Sequence, residues 1–117
     1  MTDQAKLQDG LLQVRMRFLD ALNERERDLE ALLAEIRSTG TPGPSRDAAH
    51  QQLHRMAGTA PTLGLTELGR LAALGDDALQ LVKQGRAYDA GLIAALLRDV
   101  LGAIADARAA AAEAQTA

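Results

Sequence analysis

The amino-acid sequence predicts an all-α fold, an antiparallel four-helix bundle, and three observations carry that reading. Apolar residues recur at spacings of three and four in four successive segments, and no apolar-polar alternation runs long enough for a strand. The chain is 47% hydrophobic but only 2% aromatic. Leu, Ala, Ile, Val and Met therefore fill the interior, a mixture that favours helices over strands, with Phe18 and Tyr88 as isolated large groups. The turns between segments are short, which favours antiparallel neighbours.

The first helix is expected from about Asp3 to Arg37, with Leu7, Leu11, Val14, Phe18, Ala21, Leu22, Leu29, Leu32, Leu33 and Ile36 on its apolar stripe. Arg25 falls where that stripe requires an apolar side chain, and the charged run from Asn23 to Asp28 predicts a bend or an exit from the bundle. Gly10 is a second weak point. Two prolines and two glycines in Ser38 to Pro44 end the helix, and Ser45 is the expected N-cap of the next.

That second helix is expected from Arg46 to Thr62, with a kink or irregular last turn at Pro61, which cannot donate to the carbonyl of Ala57. Gly64 supplies the C-cap and Thr66 the cap of a third helix carrying Leu68, Leu71, Ala72, Leu74, Ala78, Leu79 and Val82. Gly85 ends it. Tyr88-Asp89 opens a fourth helix with Leu92, Ile93, Leu96, Leu97, Val100, Leu101 and Ile104 on a broad buried face. After Asp106 the alanine-rich sequence is expected to fray.

At 117 residues the chain is read as one domain, 1–117, with a helical tail from about 107. It contains no cysteine, which removes disulfides, thiolate zinc sites and cysteine nucleophiles and fits a reducing compartment. The formal charge of −3 and a pI near 5.3 argue against nucleic acid as a partner. The start of the chain is polar, with no secretory signal, and no run is long enough to span a bilayer, so no membrane association is expected and the location is read as cytoplasmic.

The residues that invite chemistry lie on the second helix. Ala49, Leu53, Met56, Ala60 and Leu63 form its buried stripe, and His54 stands roughly 140° from the centre of that stripe, beside Asp47, His50, Ala57, Gly58 and Pro61. A core histidine would point the other way. An imidazole with an ordinary pKa of about 6.5 is largely neutral and nucleophilic at neutral pH.

Three chemistries compete for it. A hydrolase would need a serine, cysteine or paired-carboxylate constellation, and none accompanies His54. Metal binding draws on His50 and His54, four residues apart on one face, with Asp47 nearby, but no further histidine or cysteine completes a site, so no metal is expected. The nucleophile reading explains more: a ring attacking phosphorus on another protein must stand clear, and Gly58 with Ala57 leaves the helix open to a partner's backbone. The alternative for Gly58 is close helix packing, which its place opposite the stripe disfavours.

The run His54-Arg55-Met56-Ala57-Gly58-Thr59-Ala60, then Leu63-Gly64-Leu65 and Leu68, resembles the signature of histidine-containing phosphotransfer domains. The resemblance covers most of the chain, and the helix order matches. It implies that His54 accepts a phosphoryl group from an aspartyl phosphate on a receiver domain and passes it to another receiver's aspartate. The implied partners are response-regulator receivers and the receiver of a hybrid histidine kinase. Magnesium would belong to the receiver, leaving this chain without a cofactor, and it would be a stoichiometric carrier rather than an enzyme, in keeping with the lack of a P-loop or glycine-rich nucleotide loop.

Many members carry lysine three residues after the histidine, where this chain has Ala57. Arg55 lies roughly 100° around the helix and is a weak substitute. By position, Asp76 aligns with a polar residue that in the family hydrogen-bonds the imidazole and fixes its tautomer, while Gly75 replaces the apolar neighbour expected there. His50 is read as lining the docking face or solvated, and Pro61 and Gly64 as further partner-facing positions.

The runner-up is a helical adaptor that binds receivers without relaying phosphate. The dimerisation helices of a histidine kinase are disfavoured because Arg55 stands where those kinases place an acid. A module cut from a chemotaxis-type kinase stays open beside the expected free-standing monomer.

Overall fold

The computed structural model describes residues 3–86 and 89–116, the last three by backbone alone. Its helices are α1 (Asp3–Thr39), α2 (Arg46–Thr59), α3 (Thr66–Lys83) and α4 (Ala90–Thr116), with a single 3₁₀ turn at Pro61–Leu63. No strand occurs among the described residues. Helix α1 packs on α2 and α4, and α3 packs on the same two, closing a four-membered ring. Leu22, Leu29 and Leu32 of α1 meet Leu53 and Met56 of α2, Leu79 of α3, and Leu97, Val100 and Ile104 of α4 in a fully buried core.

The core begins at Phe18, not at Leu7. Leu7, Leu11 and Val14, expected on the buried stripe, are exposed, as are Leu74 of α3 and Leu92 of α4. Length explains the overhang of α1: 37 residues at 1.5 Å each extend about 55 Å, matching the molecule's long dimension of 55 Å. Helix α2, with 14 residues, spans only about 21 Å and leaves the first turns of α1 uncovered.

Neither the charged run nor Gly10 interrupts α1. Arg25 keeps its place on the stripe by stacking its guanidinium over the Phe18 ring, 5.1 Å from the centroid. Burial, and then the charge of Arg55, lower its pKa, with Glu24 opposing.

The connections differ from expectation in their chemistry. Ser45 occupies the N-cap position of α2, but its side chain makes no capping bond. The Glu35 carboxylate instead accepts the backbone N–H groups of Gly43 and Ser45, each at 3.0 Å, and the Ser45 side chain, with those N–H groups, lowers its pKa. Leu65, not Thr66, precedes α3, again without a side-chain cap. Pro61 ends α2 at Thr59 and opens the 3₁₀ turn, the irregular turn anticipated there.

Gly64 and Gly85 adopt positive φ, +80° and +73°. At each, the following N–H reaches back five residues, Leu65 to Ala60 and Arg86 to Leu81. This is the Schellman closure that glycine makes inexpensive. Tyr88 lies outside the described residues; Asp89 caps α4, its carboxylate accepting the Leu92 N–H at 3.0 Å.

Beyond Asp106 the helix continues rather than frays. Ala107 is buried, and Arg108 ties the tail to α1 through Glu26 and through Asn23 at 2.6 Å.

Two stability measurements follow. In chemical denaturation, Leu29→Ala is expected to cost about 2–5 kcal/mol, whereas Leu11→Ala stays within about 0.5 kcal/mol. Equal losses would place the overhang of α1 inside the core. For Glu35, the hydrogen bonds hold the carboxyl below its ordinary 4.5, so its contribution is complete above that value and is lost as pH falls through the lower folded one. Glu35→Gln should therefore melt below wild type near neutrality, with the gap closing as pH falls below 4.5 and through the lower folded value; a constant gap would mean that charge is not what secures the loop.

Candidate functional site

The site forms where α2 faces α3. On α2, the buried stripe Ala49, Leu53, Met56 fixes the rotation of the helix, which leaves His54 on the outer side with 79% of its side chain exposed. On α3, Leu68, Ala72 and Leu79 are buried toward the core, and Asp76 projects toward α2 at the edge of the contact.

The Asp76 carboxylate bridges two histidines. Its Oδ2 lies 2.9 Å from His54 Nδ1 and its Oδ1 lies 2.7 Å from His50 Nε2. A carboxylate only accepts, so both ring nitrogens carry hydrogen and donate. Nδ1–H on His54 leaves Nε2 as the lone-pair nitrogen, with no partner among the described residues. His50 and Asp76 are far less exposed than His54, at 14% and 20%, so the outer ring is tethered from beneath.

Two glycines of α3 make the approach possible. A Cβ on Gly75 would stand 3.0 Å from Leu53 Cδ1, and one on Gly69 would stand 2.5 Å from Pro61 Cγ. The second contact is with a rigid ring, so any side chain at Gly69 pushes the helices apart there. The apolar residue expected in place of Gly75 is missing because Leu53 already fills that space.

The other site residues separate into distinct roles. Gly58 is exposed, and a Cβ there would meet nothing within 4 Å, so it serves no packing contact. Ala57 is half-buried against the core, turned further inward than its expected place beside His54. Arg55 is exposed, and its charge acts on Arg25 across the α1–α2 contact. Pro61 packs on Gly69 and Gly64 forms the turn; neither lines the groove that holds His54. That groove is walled by Asp47, Ala48, His50, Gln51, Asp76, Gln80 and Lys83.

His50 takes the first of its two expected places, lining that groove, and it is half-buried and bonded to Asp76 rather than solvated. Its spacing of four from His54 pointed to a shared face, and the resemblance set Asp76 beside His54; that the same carboxylate also holds His50 had no sign in either segment. Among the described residues no group of three or more His, Asp or Glu is arranged to hold a metal ion. No helix there is long and apolar enough to cross a membrane.

No curated protein and no solved structure matches the chain. A family model described as the Hpt domain matches residues 13–110. Domains of this kind are helical phosphocarrier modules of two-component signalling that interact with the receiver domains of response regulators and histidine kinases. With that match spanning all four helices and the groove between α2 and α3, the chain belongs to the Hpt domain family.

Proposed function

We propose that the protein is a phosphorelay intermediate, with His54 taking a phosphoryl group from an aspartyl phosphate on one receiver and passing it to an aspartate on another. The two receiver classes it serves are those of response regulators and of a hybrid histidine kinase. The observation that carries the reading is the His54 ring, 79% exposed and bonded through Nδ1 to Asp76.

In the forward step the Nε2 lone pair attacks phosphorus, and the bond from phosphorus to the donor's aspartyl oxygen breaks with its electron pair left on that carboxylate. Nδ1 keeps its hydrogen, so the ring becomes cationic and no proton has to leave. Asp76 then faces that charge across a charge-assisted hydrogen bond. Transfer onward reverses these changes on the second receiver.

Magnesium and the acidic residues around it are assigned to the receiver, and this chain contributes imidazole and docking surface. His54, His50 and Asp76 come from one copy, so the relay works as a monomer, placed in the cytoplasm with its receivers. Open space over Gly58 lets a partner's backbone come close to the ring.

Incubation with a phosphorylated receiver from the same organism tests the proposal. Acid-labile, base-stable phosphate should appear on wild type and be absent from His54→Gln. Receiver binding without labelling would support the adaptor reading, and undiminished labelling of the variant would move the acceptor elsewhere. Gly58→Leu should slow transfer by roughly tenfold or more with helicity intact; normal transfer would put the docking face on another side.

A further inference from the structure

From the bridge between α2 and α3 we infer that His50 is a positioning residue for His54, acting through Asp76. The kinetic half of this inference rests on His54 being the phosphoryl acceptor; the structural half does not.

The argument begins with the softness of the parts. The last torsion of an aspartate and that of a histidine are both broad, without the sharp staggered wells of an aliphatic side chain. One hydrogen bond between Asp76 and an imidazole 79% exposed therefore leaves the carboxylate plane and the ring free to turn together. A second bond to the other oxygen removes that freedom.

His50 supplies it, with Nε2 at 2.7 Å from Oδ1, shorter than the 2.9 Å bond that Asp76 makes to His54. It donates from a side chain only 14% exposed, on the same helix face as His54 one turn earlier. Since both oxygens of Asp76 are engaged, Oδ2 presents to His54 as a fixed acceptor. That selects the Nδ1–H tautomer, keeping Nε2 unprotonated and outward. His50 bonds Asp76 and not Nε2 of His54, the reacting nitrogen.

Two variants separate positioning from packing. His50→Gln retains an amide donor at a comparable reach, and His50→Leu fills the space without one. Nitrogen-15 NMR of the full chain reads the His54 tautomer, and phosphoramidate serves as phosphodonor, the Nε2 lone pair displacing ammonia as the phosphorus–nitrogen bond breaks.

Wild type should show Nδ1–H. In His50→Leu the ring should become a mixture of tautomers and phosphorylation should slow roughly tenfold, while His50→Gln stays within about twofold of wild type. If circular dichroism shows that the leucine variant loses helicity, His50→Ala replaces it.

Retention of the Nδ1–H tautomer in the donor-less variant overturns the inference, as does a glutamine variant as impaired as leucine. Because the tautomer is read without phosphate, failure of wild type to label at His54 would defeat the relay alone and leave the His50 result to stand or fall separately.

Discussion

The separation between α2 and α3 governs the geometry of the site. A carboxylate on a side chain as short as aspartate can bond two rings on a neighbouring helix only if the backbones come close, and Gly69 and Gly75 permit that approach. Beside the first lies the Pro61 ring, and beside the second the Leu53 side chain, where added Cβ atoms would stand at 2.5 Å and 3.0 Å. Helix packing distance follows from the side chains at the contact, so these two positions act on the hydrogen bonds of Asp76 without touching either histidine.

Such closeness also shapes the electrostatics of the proposed relay. A lysine three residues after the histidine would act on the phosphoryl oxygens, and Ala57 removes that possibility. Asp76 acts instead on the other end of the same group, balancing the charge that the ring gains when Nε2 bonds phosphorus. Arg55, exposed and roughly 100° around the helix from His54, is a weak substitute, and its charge also depresses Arg25. Support for the phosphorylated state thus comes from beneath the ring, and the outer side is left open over Gly58 for whatever charges a receiver brings.

Much of this was legible in the sequence, for reasons that can be named. Periodicity exposed the four helices because each buries one stripe against the others. His54 stood out because it lies opposite such a stripe. What stayed hidden depends on contacts between segments. Leu7 and Leu11 have the spacing of core residues, but burial also requires a facing helix, and α2 is too short to provide one. Ser45 has the chemistry of an N-cap, yet its side chain caps nothing and a glutamate ten residues earlier takes its N–H. Asp76 could be placed only by resemblance, and its bond to His50, whose spacing put it on the face of His54, could not be read at all, because pairing across α2 and α3 has no trace in either segment alone.

An outward-facing nucleophile usually trades accuracy for access, since a side chain in water samples many orientations. Here the exposed ring is attached to a helix whose rotation is fixed by Leu53 and Met56, both fully buried, and its inner nitrogen is bonded to a carboxylate that the second histidine also grips. Each layer inward is less exposed than the one it supports: 79% for His54, 20% for Asp76, 14% for His50. Order is carried outward from the core to a single ring edge, and that is how a chain of helices with few polar contacts in its interior can present one nitrogen to a partner in a defined state.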